Sequence, residues 1–147
     1  MSLTYSESEW KLFWDQFLKA LGDCGAPFIT QAPCKHWCHV KIESNVKIEI
    51  CLINSKNKVY VGLNIKDDKV LYDALFQYKG NIERELGLQL IWDRLDNKGT
   101  SKIGYDIVYP ALDFDDHSNY DELFKIIIDI TSKMKKVFEK YVKKIKA

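Results

Sequence analysis

The segment from residue 38 to residue 65, CHVKIESNVKIEICLINSKNKVYVGLNI, decides the fold. Apolar and polar residues alternate through it in three runs, separated by the Ser44-Asn45 turn and by a polar turn at residues 54–57. Alternation with a period of two is typical of a strand with one buried face, and short polar turns join such strands into hairpins. The segment therefore predicts three antiparallel strands that form a meander covered on one side only.

An amphipathic helix is predicted before this meander. Ser6 and Glu9 have the spacing of a capping box, and Gly22 is a suitable C-terminal stop. Between them, residues 10–21 place large apolar side chains, four of them aromatic, at three- and four-residue steps. These side chains would form one face that packs against the core.

A second helix is predicted after the meander, from a cap at Asp67 or Asp68 to a stop at Gly87. Its apolar positions recur every three or four residues along one face. Gly80 falls in the interior of this helix, where glycine costs about 1 kcal/mol relative to alanine. A cost of that size calls for a packing or functional reason.

Two more strands, at residues 88–95 and 101–109, and a last helix complete the predicted fold. The last helix begins near Ser118 or Asn119 and runs almost to the C-terminus. At 1.5 Å per residue its length is on the order of 40 Å, so its basic end is expected to project or to meet a partner. The element order αβββαββα predicts an α+β class, with a five-stranded antiparallel sheet packed against helices, and residues 1–147 as a single domain.

The composition is that of an ordinary globular protein. Apolar residues make up 46% and charged residues 29% of 147 residues, and the formal net charge is +1. These values exclude a disordered chain and an obligate nucleic-acid binder with a strong global field. The sequence has no run long enough to span a bilayer and no secretory signal, so a cytoplasmic protein without a membrane partner is expected. The four cysteines are then reduced, and no cofactor is implied.

Positive charge is concentrated near the C-terminus. From residue 133 onward there are seven lysines and a single acid, Glu139. Lys133, Lys136, Lys140 and Lys143 share one helical face and are candidate phosphate contacts. The alternative is a solvated face whose cations complement the C-terminal end of the helix dipole.

Two segments resemble a known family. Residues 75–87, LFQYKGNIERELG, are similar to its L..QK..IE..LG pattern with Tyr78 inserted, and residues 90–103, LIWDRLDNKGTSKI, are similar to its L.W.RLD.K..S.I pattern. The chain resembles a bacterial and archaeal family called domain of unknown function 4268, which often follows a nuclease-like domain in longer chains. The resemblance implies an association with nucleic-acid processing but no mechanism.

The polar residues of these two segments form the first candidate site. Lys79, Glu83, Arg94, Lys98 and Ser101 are interpreted as a polar binding surface on which Arg94 and Lys98 hold a phosphate or carboxylate. The alternative is structural, with an i,i+4 pair on a helix and turn-forming residues in the hairpin that follows.

No metal site and no catalytic residue is predicted. A zinc site at Cys34, His36, Cys38 and His39 would crowd four ligands into six residues, and the acidic run at residues 113–117 fits helix capping better than cation binding. The element order also matches the core of restriction-type nucleases, in which Glu49 and Asp67 would hold Mg²⁺. The third strand, however, has no carboxylate.

The sequence thus predicts a non-catalytic binding or adaptor module linked to nucleic-acid processing or defence systems. Its expected partners are a nucleic acid, weakly bound, or a nuclease-type protein. One alternative is a degenerate or unusual Mg²⁺-dependent nuclease. Another is a structural homo-oligomer that associates through the last helix or through the outward sheet face with Tyr60, Gly62 and Ile91.

Overall fold

The computed structural model describes residues 7–23, 25, 36–53, 58–108 and 120–147, and for residues 7–10 the backbone alone. The described elements are α1 (Glu7–Asp23), β1 (Trp37–Glu43), β2 (Val46–Ile53), β3 (Lys58–Lys66), α2 (Lys69–Gln77), α3 (Lys79–Leu86), β4 (Ile91–Asp93), β5 (Thr100–Val108) and α4 (Tyr120–Lys146). The α+β class and the order αβββαββα are confirmed, with α2 and α3 in place of the one predicted second helix.

The five strands form one antiparallel sheet in the order β1-β2-β3-β5-β4. The predicted meander supplies the first three strands, and β5 then pairs with β3 along its full length. In this register Glu49 of β2 lies opposite Gly62 of β3, and Gly62 lies opposite Gly104 of β5. Side chains from separate parts of the sequence therefore meet in one row across the sheet.

The helices cover one face of the sheet. Alternate residues of β2 and β3 are fully buried against them, as the period-two pattern predicts. Phe13 and Phe17 of α1 meet Phe124 of α4 edge to face, with ring centroids 5.3 Å apart in both pairs. The opposite face of the sheet has no helix among the described elements, and we call it the open face.

The C-terminal end of α4 does not project, contrary to the sequence-based expectation. Phe138, Tyr141 and Val142 are buried in the core, and Lys146 forms ion pairs with Glu43 of β1 and Asp68. The helix contacts α1, α2, α3 and the first three strands. The helix therefore packs against the other elements along its whole length. An estimate of helix length from sequence cannot show where the helix packs.

The predicted second helix is interrupted at Tyr78. This residue has φ −99° and ψ 12°, and its backbone N–H donates to the Leu75 carbonyl in a 3₁₀-type bond. The two expected ends are confirmed, because Asp68 accepts a hydrogen bond from the Leu71 N–H and Gly87 has φ 69°. The apolar spacing continues across the interruption, so periodicity alone could not locate it.

β4 is much shorter than the predicted strand over residues 88–95. The Leu90 N–H donates to the Glu83 carboxylate at 2.7 Å instead of to a neighbouring strand, and the chain joins the sheet only at Ile91. β4 pairs with β5 at residues 102–104 only. Beyond it, along Tyr105–Val108, β5 has a neighbouring strand on one side only among the described elements.

Candidate functional site

Arg94, the central residue of the predicted polar surface, is held by two carboxylates. Its guanidinium donates to both Asp73 oxygens, at 2.9 and 3.1 Å, and to Asp96. These bonds raise the pKa of Arg94 and lower the pKa of Asp73. A two-bond pair of this kind positions the hairpin against α2. The Nε, Nη1 and Nη2 groups of Arg94 all donate to carboxylates of the protein itself.

Ser101 lies beneath this pair and is 1% exposed. Its hydroxyl donates to the Arg94 carbonyl at 2.8 Å and accepts from the Lys69 ammonium at 2.8 Å. The same ammonium also lies within hydrogen-bond distance of the carbonyls of Arg94, Leu95 and Thr100, so four acceptors share its three N–H groups. Lys69 at the start of α2 thus fastens the β4–β5 connection, and the sequence analysis did not identify it.

The other members of the predicted surface point to different surroundings. The Glu83 carboxylate accepts from the Leu90 N–H and from the Trp92 indole at 3.3 Å. The Lys79 ammonium lies 5.7 Å from the centroid of the Phe76 ring, and Lys98 is exposed in the β4–β5 connection. Arg94, Ser101 and Glu83 therefore have structural contacts, but Glu83 contacts Leu90 and Trp92 and is not in the i,i+4 pair with Lys79 that the structural alternative assumed.

The predicted phosphate-contacting lysines of α4 divide into two pairs. Lys133 pairs with Asp129 at 3.3 Å, and Lys140 pairs with Glu85 of α3. Lys136 and Lys143 are exposed and have no carboxylate within 4.0 Å among the described residues. Beside them, the Lys144 ammonium lies 5.0 Å from the Tyr78 ring centroid.

The open face has a different construction, based on two glycines. Gly62 and Gly104 are cross-strand neighbours, and both are buried although they lie on the uncovered side. A methyl group added to either would lie under 3.0 Å from atoms of the Tyr60 side chain. The Tyr60 ring therefore rests on the glycine backbone, where any larger residue would displace it.

A cleft of about 210 Å³ lies above this floor. We call it the sheet-face cleft, and its lining residues are Glu49, Cys51, Ile53, Tyr60, Ile91, Asp93 and Lys102. They come from β2, β3, β4 and β5, so the cleft runs across the strands. Tyr60 and Ile91 belong to the outward surface that the sequence analysis singled out.

The charges around the cleft act on its tyrosine and its cysteine. Burial raises the pKa of Tyr60, and the Glu49, Asp106 and Asp93 carboxylates raise it further. Burial and then Glu49 raise the pKa of the Cys51 thiol, which is therefore protonated and weakly nucleophilic at neutral pH. At neutral pH the cleft therefore presents a neutral hydroxyl and a neutral thiol beside carboxylates.

His39 lies at the β1 side of the cleft and is not a full counter-charge to Glu49. Its Nε2 is 3.5 Å from the Glu49 carboxylate, but burial and the nearby Lys47 lower the pKa of His39 in spite of this contact. Because 3.5 Å is a long contact and burial is the largest influence, the imidazole is mainly neutral at pH 7.

The proposed nuclease carboxylates are not brought together. Glu49 lies opposite Gly62, whereas Asp67 follows the end of β3, roughly 16 Å further along the strand at 3.3 Å per residue. Among the described residues, no group of three or more His, Cys, Asp and Glu side chains could hold a metal ion. Cys34 and residues 113–117 lie outside the described part of the chain.

The fold and the site define a class: an α+β domain with helices on one face of an antiparallel sheet and a small cleft on the other. The model of the family described as Domain of unknown function (DUF4268) matches residues 11–142. The chain belongs to this family, as its two sequence segments indicated.

Other comparisons add little to this assignment. A chain in the crystal structure of the ExsC-ExsE complex is similar, with 12% sequence identity and a TM-score of 0.49, over 88% of this chain and 93% of that chain. No curated protein matches the sequence. In the described part of the chain, no helix has the length and hydropathy needed to cross a membrane.

Proposed function

We propose that this protein is a non-catalytic binding or adaptor module that recognises a protein partner through the open face of its sheet. The observation that carries the proposal is the sheet-face cleft, which opens on the side of the sheet that no described helix covers. Ile91 beside it is 49% exposed and Val108 on the same face is 67% exposed. Exposed apolar side chains around a concave site are typical of protein-binding surfaces.

A pair of matched variants tests this role. Ile91→Asp places a charge on the open face, and Leu12→Asp places one on α1, where Leu12 has a similar exposure of 53%. A nuclease-type protein, the class that the family resemblance implies, is the first purified candidate. Partners that bind wild type and Leu12→Asp but not Ile91→Asp use the open face; equal binding to all three chains contradicts the proposal.

The same variants test self-association. If the open face meets a second copy of the chain, wild type and Leu12→Asp sediment as dimers and Ile91→Asp sediments as a monomer. A monomer for all three chains at high concentration removes the homo-oligomer from consideration. A protein partner that then binds in an open-face-dependent way supports the adaptor role.

Weak nucleic-acid binding by α4 is a second candidate function. It is favoured by the exposed ammonium groups of Lys136 and Lys143, beside Lys144 over the aromatic ring of Tyr78. If these lysines contact phosphates, Lys136→Glu/Lys143→Glu weakens binding to DNA or RNA and lowers the salt dependence by about two contacts.

The control for this test is Lys11→Glu/Lys19→Glu, which changes two exposed lysines of α1 by the same total charge. A loss confined to the α4 variant supports a phosphate-binding surface. Equal losses in both variants indicate a general charge effect, and this contradicts a specific role for α4. Binding assays run with and without Mg²⁺ also detect cleavage, the outcome that the nuclease alternative requires.

A further inference from the structure

The sheet-face cleft has the size of one side chain. Its volume of about 210 Å³ is smaller than the roughly 300–1,000 Å³ of typical small-molecule pockets. It is also several times the volume of a water molecule, about 30 Å³. β2 and β4 are three strand spacings apart, roughly 14 Å, which matches about four residues of an extended chain. The dimensions fit a short extended segment that inserts one side chain.

The charges of the cleft favour a cation. Glu49 and Asp93 contribute two carboxylates, and Lys102 contributes one ammonium group. No nitrogen of a described lysine, arginine or histidine lies within 4.0 Å of the Asp93 carboxylate. Glu49 has only 17% of its side chain exposed, and the neighbouring His39 is mainly neutral. A cation that enters the cleft would thus meet two carboxylates that no ion pair with a fully charged side chain neutralises among the described residues.

The apolar lining favours a cation on a hydrocarbon stem. Ile53 and Ile91 flank the cleft, and the Tyr60 ring forms its floor above the two glycines. Lys102 already places its ammonium 5.9 Å from the centroid of this ring, which indicates that the ring face accepts a positive charge. Arginine fits better than lysine, because a planar guanidinium both stacks on a ring and forks to a carboxylate.

We propose that the sheet-face cleft binds an arginine side chain from an extended segment of a partner protein. The guanidinium pairs with Glu49, Asp93 adds its negative charge from β4, and the methylene stem packs on Ile91 and Tyr60. Lys102 opposes the guest charge and limits affinity. This inference rests on the binding role proposed for the open face, and it specifies the chemistry that the partner presents there.

The test uses the full chain and a fluorescein-labelled peptide, Thr-Val-Arg-Val-Thr. Its controls replace the arginine with citrulline, which has a similar shape without the charge, and with lysine. We expect the arginine peptide to bind about tenfold more tightly than the citrulline peptide, a ratio equal to about 1.4 kcal/mol, with the lysine peptide between them. Equal anisotropy curves for arginine and citrulline, or no binding at millimolar peptide, overturn the inference.

Variants of the protein locate the binding. Glu49→Gln is expected to weaken arginine-peptide binding about five- to tenfold, and the more exposed Asp93→Asn about two- to threefold. Lys102→Met is expected to tighten it, and Glu122→Gln on the exposed side of α4 is the control without effect. Circular dichroism confirms that each variant is folded. An unchanged affinity in Glu49→Gln places the peptide elsewhere and rejects the site.

The two proposals fail in different ways. If Ile91→Asp abolishes binding to a partner protein but the arginine and citrulline peptides behave alike, the open face is a binding surface that does not select arginine. If Ile91→Asp leaves partner binding intact, the proposed function itself fails.

Discussion

Replacing Gly104 with alanine would place a methyl group under 3.0 Å from ring atoms of Tyr60. The ring must then leave its position on the glycine backbone, so we expect the free energy of unfolding to fall by about 1–3 kcal/mol. In a Tyr60→Ala background the added methyl group has no ring to displace, and the cost is expected to fall. A double-mutant cycle in urea measures this coupling.

Gly62→Ala is the matched control for that cycle. Its added methyl group would also lie under 3.0 Å from the Gly104 Cα, a backbone atom that Tyr60→Ala leaves in place. Its cost should therefore persist in both backgrounds. If Gly104→Ala costs the same with and without the tyrosine ring, Tyr60 does not rest on the glycines as described.

Gly80→Ala is expected to stabilise the protein. A methyl group at this position meets no atom within 4 Å, and Gly80 lies in the first turn of α3. Alanine restricts the unfolded chain, so the free energy of unfolding should rise by about 0.5 kcal/mol. The packing reason that the sequence analysis sought for this glycine is absent among the described residues.

The control for Gly80→Ala is Gly87→Ala at the other end of α3. Gly87 has φ 69°, a left-handed conformation that costs a non-glycine residue about 1–2 kcal/mol. Thermal and urea unfolding should therefore shift in opposite directions for the two variants. A destabilising Gly80→Ala would reveal a constraint at this position that the backbone and its surroundings do not explain.

At the scale of elements, Lys69 is the decisive connection between α2 and the β4–β5 hairpin. Lys69→Met leaves three carbonyl groups and the Ser101 hydroxyl without their shared donor. We expect unfolding to become easier by about 2–3 kcal/mol, the scale of hydrogen bonds to a charged group. Amide hydrogen exchange should accelerate first in residues 94–101.

Lys66→Met is the comparison for this variant. Lys66 ends β3, is exposed and precedes α2 by only a few residues, so its replacement is expected to change stability by less than about 0.5 kcal/mol. Equal stability of the Lys69→Met and Lys66→Met chains would show that the ammonium contacts contribute nothing to docking of the hairpin.

The elements differ in how far sequence predicted them. Periodicity identified the three meander strands and the amphipathic helices, because burial of one face imposes a repeat of two or about 3.6 residues. It could not detect the interruption at Tyr78, since the apolar spacing is the same on both sides. Periodicity also could not show that β4 is short, because the Leu90 N–H donates to the Glu83 carboxylate in a tertiary contact that the apolar pattern does not encode.

For the molecule as a whole, docking of α3 on α4 predicts a pH dependence. Hydrogen bonds from Lys140 and Tyr141 lower the pKa of Glu85 from its ordinary value of 4.5. A carboxyl group with a lowered pKa in the folded state stabilises the protein above pH 4.5, and this contribution is lost as the pH falls through the folded-state pKa.

Glu85→Gln should therefore lower stability at pH 7 and reduce the loss of stability on acidification from about pH 5 to pH 3. Urea unfolding across this range measures both effects, and Glu122→Gln on the exposed side of α4 is the control. A Glu85→Gln chain with the wild-type pH profile would show that the contact does not couple protonation to folding.

The candidate sites were less predictable than the fold, and distance along the chain explains the difference. The sequence analysis named Tyr60, Gly62 and Ile91 on the outward face, but Glu49 and Lys102 join them only through the pairing of β3 with β5. The basic run of α4 was visible directly. The pairing of Lys140 was not, because its partner Glu85 lies in another helix.

The strand order also affects the sequence in which the sheet can form while the chain is being synthesised. β4 is synthesised before β5, yet β5 is its neighbour and also the partner of β3. The nascent sheet therefore keeps an open edge on β3 until residue 108 has left the exit tunnel, and its apolar side awaits α4. A translation product that stops before β5 lacks the strand that pairs with β3 and the helix α4 that packs on the sheet, and exposed strand edges and apolar faces of this kind favour aggregation or chaperone binding.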